Sequence, residues 1–390
     1  MAKKRTPDVY ILGVMIVGVM IALTFFNLRY IVPPRGNRFD FYPRWRGGQA
    51  LWNGISPYSA STTDAIQEGM FGGVLPPNVD QQRMVYPAYV GLILAPLLLL
   101  PPSTAIAIWL TIQLIAVLAT PILWLQILDW KPPPWVLGLL IVGLVLVFRY
   151  PINLYIVGQF TGTILFGFSL AVWLLQRKRD LAAGILLALT AIPPTIAIPL
   201  ALVLVGSFVL IGRPRALVGF VATLAILTAI TFVQIGWWIP DFLTQLGAYS
   251  SYALPIWPPG LLEAPILRFG LILAVGLTLL AALIRFRQTR ALENFAISAI
   301  LACLLLLPQT GNYYLILLIP PLLVIFRRGG LIFRLAVALA VISPWFLRVL
   351  PNTSSEALLL PLYTLILWLI STYQFQKRPI IEAAQPVHPA

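Results

Sequence analysis

The sequence predicts an all-α, polytopic integral membrane protein that crosses the bilayer about twelve times, since a spanning helix takes roughly 20 apolar residues. Three observations carry this. Hydrophobic residues make up 60% of the 390-residue chain and charged residues only 10%, with a mean hydropathy of +0.92; a soluble domain carries roughly 25% charged residues. The apolar residues come in runs of about spanning length separated by short polar breaks. The net charge of +14 is concentrated in clusters between those runs: Lys3-Lys4-Arg5, Arg177-Lys178-Arg179, Arg213 with Arg215, Arg285 with Arg287 and Arg290, Arg327-Arg328 and Lys377-Arg378. That placement is the positive-inside pattern that sets membrane topology, not a polyanion-binding face. A soluble enzyme, a disordered regulator and a nucleic-acid-binding domain are excluded, and no nucleic-acid partner is expected.

Residues 1–28 comprise a basic tail and a first helix from Val9 to Leu28. The apolar stretch is too long for a signal-peptide core and lacks a small-residue cleavage site, so it reads as an uncleaved span with its N-terminus in the cytoplasm. Residues 29–86 are rich in Gly, Pro, Asn and aromatics and follow as a large extracytoplasmic loop. Residues 87–376 form the multi-helix body, with apolar segments at about 88–100, 103–127, 135–148, 160–175, 181–211, 216–236, 263–284, 291–307, 313–326, 331–348 and 357–374. The tail 377–390 is cytoplasmic, which makes this a multi-pass protein of the plasma membrane with both termini inside. The run 181–211 is interrupted by Pro193-Pro194 and has basic clusters at both ends. Either it is a broken hairpin that dips in and returns, with 88–100 re-entrant, or it is one kinked span. The basic clusters favour the hairpin.

The single Cys303 and the single His388 leave no disulfide, no zinc site and no histidine-based catalysis in the membrane body. Twelve acidic residues are present; none forms an Asp-x-Asp pair, and no Gly-rich loop with Lys occurs. No metal and no cofactor is expected.

The densest constellation lies just past the first helix, where Arg35, Arg38, Arg44 and Arg46 alternate with Phe39, Phe41, Tyr42 and Trp45 around one acid, Asp40. Guanidinium groups present planar paired donors to phosphate, the aromatics offer faces to a sugar or headgroup, and Asp40 is placed to act as a general base. Aromatics and arginines at a helix end also make an interfacial belt, and an Asp among arginines is often a salt bridge. Asp64, Glu68 and Asp80 read as solvated loop charges. Asp241 reads as a helix cap or an acceptor contact. Gln159, after Gly158, either bonds a sugar hydroxyl or caps a helix at a glycine break. Tyr313 and Tyr314 are belt residues or substrate contacts.

Phe39-Asp40-Phe41-Tyr42, followed by Gly47, Ala50-Leu51, Gly54 and Pro57-Tyr58, resembles the opening signature of glycosyltransferase family 87. Tyr86-Pro87, Pro96-Leu97, Leu100-Pro101 and Trp109 resemble its next block, Gly158-Gln159 and Gly184 a further one, and Leu307-Pro308 through Tyr313-Tyr314 its late turn. The resemblance spans about residues 9–375 and rests on the order and spacing of weak motifs. It departs where the family carries lysine, here Pro193-Pro194, and where it carries histidine, here Asn312, Tyr313 and Tyr314.

The resemblance implies a GT-C-type fold and a metal-free, inverting transfer of a hexose such as mannose. The donor is a polyprenyl-phosphate sugar and the acceptor a lipid or glycan at the outer face, among membrane lipids. Asp40 matches the family's first-loop aspartate, the catalytic base. The substrate-binding set is Arg35, Arg38, Tyr42, Arg44, Arg46, Tyr58, Tyr86, Gln159, Asn312, Tyr313 and Tyr314. The rival readings are a lipid or polysaccharide transporter, against which the scarcity of acids within helices counts, and a degenerate, non-catalytic protein of the same fold.

Overall fold

The computed structural model describes residues 6–76, 79–253, 255–347 and 355–377, and no strand occurs among them. The basic cluster Lys3-Lys4-Arg5 and the end of the tail, with Arg378 and His388, lie outside the described residues. Helix α1 (Thr6–Phe26) runs on through a π-helical turn at Asn27–Ile31. The long polar stretch folds into α2 (Phe41–Trp52) and α3 (Ala60–Phe71). Ser59 caps α3 by accepting from Thr62 N at 3.2 Å, and Gly72 ends it in the left-handed region. The segment 88–100 forms only two single turns, α4 (Val90–Ile93) and α5 (Ala95–Leu98), split at Leu94 with Pro96 in the first turn of α5. It is far too short to span.

The body follows with α6 (Pro102–Ile127), started by Pro101-Pro102, and α7 (Pro134–Ile141), which continues as a π-helical segment Val142–Val147. That segment bends by 50° into α8 (Arg149–Val157). Then come α9 (Thr161–Gln176), α10 (Asp180–Thr190), α11 (Ala197–Val209), α12 (Arg215–Ile235) and α13 (Ile239–Ala253). The chain closes with α14 (Pro265–Thr289), α15 (Leu292–Leu306), α16 (Ile319–Arg328), α17 (Leu331–Leu347) and α18 (Glu356–Lys377).

Five helices have the length and composition of a membrane span, and the bent pair α7–α8 makes a sixth. Apart from 88–100, the remaining apolar segments of the sequence form helices of 10–17 residues, including α9, α10, α11, α15 and α17. Proline shortens several of them, because it lacks the N–H donor that continues a helix. Pro193-Pro194 separates α10 from α11, and Pro320-Pro321 opens α16. Broken helices are tolerated at membrane depth where protein shields the exposed backbone. The ends of α10 and α11 remote from their break return to each other. Arg213, just past α11, donates from Nε to Asp180 Oδ2 at 2.9 Å and from Nη2 to Oδ1. That bidentate pair closes 181–211 as a returning hairpin.

Helices α10 and α12 cross in backbone contact. A Cβ on Gly184 would lie 2.0 Å from Ala216 O, and one on Gly219 2.5 Å from Leu181 O. Small residues at a membrane helix interface permit this approach, which gives Gly184 a structural role. The buried side chains divide into two apolar cores. The larger holds α6, α9–α11, α15, α16 and α18 together. The smaller joins α2, the segment 84–90, the start of α6, Phe160 and Trp238, and it carries the candidate site.

Candidate active site

The site is assembled by the ends of short elements. Phe39 and Phe41 are fully buried, and Phe41 stacks on Trp109 at 5.1 Å and on Phe160 at 6.3 Å. Asp40, between them, donates its backbone N–H to Val157 O at 2.9 Å, so the loop is sewn to the end of α8. There Gly158 takes φ +77°, a left-handed turn that a side chain would strain and that would bring a Cβ to 3.2 Å from Phe39 Cβ. Trp109 Nε1 donates to Gly158 O at 3.1 Å and fixes the turn. Gln159, the next residue, is buried and donates its Nε2 to Asp40 Oδ2. Asp40 precedes α2 but its carboxylate makes no capping bond to that helix. It forms no ion pair among the described residues.

Arg44, one turn further along α2, is buried. Its Nη1 donates to the Asp40 carbonyl at 2.7 Å, its guanidinium lies 4.3 Å from the centre of the Tyr86 ring, and its buried Nε has no hydrogen-bond partner. Burial disfavours the Arg44 charge, but Tyr86, Asp40 and Tyr249 outweigh it and keep the guanidinium protonated. For Asp40 the balance runs the other way. Burial raises its pKa above the ordinary carboxylate value, and Arg44 and the Gln159 hydrogen bond offset this only in part. Of the four neighbouring arginines only Arg44 bears on the carboxyl in the fold, because the other three turn away.

Arg44 and Tyr86 line a small cavity of about 30 Å³ with Tyr249, Tyr313, Tyr314 and Thr310. That volume admits water rather than a sugar. Thr195 and the Pro193-Pro194 break close its other wall. Tyr313 pairs its hydroxyl with Thr310 Oγ1 at 3.0 Å.

The fold therefore brings together Asp40, Arg44, Tyr86, Gln159, Tyr313 and Tyr314. Arg35 instead donates to Ile156 O and lies on Phe39 at 5.7 Å; Arg38 reaches Met70 O at 3.4 Å and Phe71 at 5.7 Å; Arg46 holds Gln49 Oε1 at 3.1 Å. Tyr42 stacks on Trp45 at 5.6 Å. Tyr58 donates to Tyr86 O at 2.8 Å and packs on Trp238 and Phe242, so it supports Tyr86 from behind. Asn312 accepts from Asn153 Nδ2 and lies 3.5 Å from Glu356 Oε2, in a separate polar cluster. There Glu356, fully buried, pairs with Arg149 at 2.7 Å and accepts from Tyr150 at 2.9 Å.

Sequence reasoning passed over Tyr249, Thr195 and Thr310, and it did not single out Glu356. The one available signal was the Arg149-Tyr150 step between two apolar runs, since an intramembrane arginine calls for an acid. No group of three or more His, Cys, Asp or Glu side chains occurs among the described residues.

No curated protein and no solved structure matches the chain. The model of glycosyltransferase family 87 matches residues 85–308, a stretch that holds Tyr86, Gln159 and α6–α15 and begins downstream of Asp40 and Arg44. That match covers more than half of the chain; with the apolar helices around it, it makes this protein a membrane glycosyltransferase of family 87.

Proposed function

We propose that the protein transfers a hexose such as mannose, with inversion, from a polyprenyl-phosphate sugar to a lipid or glycan hydroxyl at the outer face of the plasma membrane. In this reading the chain has a GT-C-type architecture of about twelve crossings with cytoplasmic termini. The observation that carries it is the state of Asp40: a carboxylate held by one neutral donor, with no ion pair among the described residues, whose own carbonyl accepts from Arg44, a residue that lines a tyrosine-rich cavity.

Asp40 takes the proton of the acceptor hydroxyl as that oxygen attacks the anomeric carbon. The bond from that carbon to the phosphate oxygen breaks, and the polyprenyl phosphate leaves with the electron pair. Arg44 faces the charge that develops on the phosphate, in a desolvated setting where a fixed cation acts strongly. A phosphate leaving group needs no protonation by a second acid, unlike the leaving alcohol of glycoside hydrolysis. The burial that raises the Asp40 pKa strengthens it as a base. An apolar groove along Val221, Ala225 and Phe232 of α12 offers a bed for the lipid tail, and Phe232 packs on Trp238 of the site's own core at 5.8 Å.

The cavity must open for a sugar to enter, and the α10–α11 break and α13 are the elements that bound it. The test is an in vitro transfer assay with a panel of polyprenyl-phosphate sugars in the presence of EDTA, with the anomeric configuration of the product read by NMR. Turnover of one donor with inversion is expected. Retention of configuration, or a requirement for added magnesium or manganese, rejects the single displacement at Asp40 and Arg44.

A further inference from the structure

At the opposite end of several helices lies a larger cavity. Helices α14 and α18 both pack on α15 and leave between them a groove of about 870 Å³. Leu277 and Ala281 of α14 and Leu369 of α18 form its walls. Leu277 and Leu369 are exposed, as suits a surface that meets acyl chains. Its floor is Trp368, which is buried, and Phe286, which stacks on Phe295 at 5.3 Å.

One end of the groove is polar. Arg285, Gln288 and Thr289 lie there on the last turns of α14. Asn294 and Thr372 line the groove, and the buried Asn294 Oδ1 and Thr372 Oγ1 have no hydrogen-bond partner. Buried polar atoms are seldom left so, and each calls for a partner from outside the chain.

The charge at that end is one-sided. Arg285 makes no ion pair among the described residues, and the guanidinium of Arg328 stands 5.1 Å from the centre of the Trp368 ring. The acid nearby, Glu293, is already engaged with Arg328 at 3.8 Å. Arg287 and Arg290 follow within the same turn of chain.

We infer that this groove is a binding site for an anionic phospholipid, with its acyl chain between α14 and α18 and its phosphate against Arg285. Three features select that occupant. The walls are apolar and face the bilayer. The polar end is cationic, and basic pockets between membrane helices hold anionic headgroups. The two orphaned oxygens require donors and acceptors that a hydroxylated headgroup supplies and a neighbouring apolar helix does not. The site is separate from Asp40 and Arg44 and plays no part in the chemistry proposed for them.

Native mass spectrometry of the purified full-length chain, titrated with phosphatidylglycerol or phosphatidylcholine, tests this without reference to transfer activity. Phosphatidylglycerol is expected to be retained about tenfold better than phosphatidylcholine. Arg285→Glu, on an exposed turn that carries no packing, is expected to remove most of that preference. Ala281→Trp, which fills the groove from its wall, is expected to lower retention of phosphatidylglycerol about tenfold or more. Equal retention of the two lipids by the unaltered chain overturns the inference, and so does undiminished phosphatidylglycerol binding by Ala281→Trp. A dimer that Ala281→Trp converts to monomer, with no lipid retained before or after, assigns the groove to a second chain and overturns it as well.

Discussion

Two acids stand near the two ends of α8, a helix of nine residues and so about 13 Å long. At its start, Glu356 is fully buried and fully engaged, by Arg149 at 2.7 Å and by Tyr150 at 2.9 Å. Past its end, the Asp40 carboxylate accepts one hydrogen bond, from Gln159, and makes no ion pair among the described residues. Arg44 is close by, yet it gives its short hydrogen bond to the Asp40 carbonyl rather than to the carboxyl. An acid locked in an ion pair cannot take a proton without breaking it, whereas one with a raised pKa and a neutral partner can. The same residue class thus serves cohesion at one end of the helix and, in the proposed mechanism, chemistry at the other.

The largest effect that separates them is expected at Asp40. Asp40→Asn keeps the shape and the contact with Gln159 but cannot accept the proton. Turnover should fall by about a hundred- to ten-thousand-fold, the span of general-base contributions, with the thermal unfolding midpoint little changed. A purified Asp40→Asn enzyme with near-normal turnover on its true donor removes the difference between the two acids.

Arg149→Ala should produce the converse. It strands the Glu356 carboxylate in a fully buried site, and breaking a buried pair from one side costs about 3–5 kcal/mol. The expected outcome is a lower unfolding temperature in detergent and poor yield, with turnover per folded molecule nearly intact. Lost turnover at unchanged stability would make Arg149, not Arg44, the cation that serves the donor.

Much of this contrast was legible in the sequence on one side only. The motif around Asp40 is local, within α2 and the turn before it, so a reader of the chain sees acid, arginines and aromatics together. The sequence also shows Pro193-Pro194, and the hairpin it implies closes through Asp180 and Arg213. What the sequence hides is direction. Arg35, Arg38, Arg44 and Arg46 are close neighbours in the chain, yet helical and turn geometry sends three of them to Ile156, Met70 and Gln49. The Glu356 site was invisible because its partner lies 207 residues away. The apolar runs themselves were legible: 103–127, 216–236 and 331–348 lie within a residue of α6, α12 and α17.

Gln159 sharpens the comparison by a smaller amount. Its amide favours the ionised form of Asp40, and the offset it provides acts against the rise caused by burial. Gln159→Leu removes that donor, so the Asp40 pKa should rise further. The acid limb of kcat/KM should then move to higher pH, with turnover at neutral pH down about tenfold, since a hydrogen bond to a charged group contributes about 1.5–3 kcal/mol. A direct sugar contact would instead raise KM and leave the pH profile where it was.

The smallest effects are expected where the sequence looked richest. Arg35, Arg38 and Arg46 spend their guanidinium groups on backbone carbonyls, ring faces and Gln49. Such contacts on the rim of a fold are usually worth no more than about 0.5 kcal/mol each, so Ala at any of the three should leave donor affinity within about twofold. Arg44 differs in being buried, in keeping Nε without a partner, and in facing the cavity. Arg44→Lys should impair transfer despite its retained charge, because an ammonium cannot present the planar paired donors of a guanidinium to a phosphate. Donor affinity that survives Arg44→Lys and collapses at Arg35, Arg38 or Arg46 would move the phosphate off the Arg44 cavity and onto the outer turn.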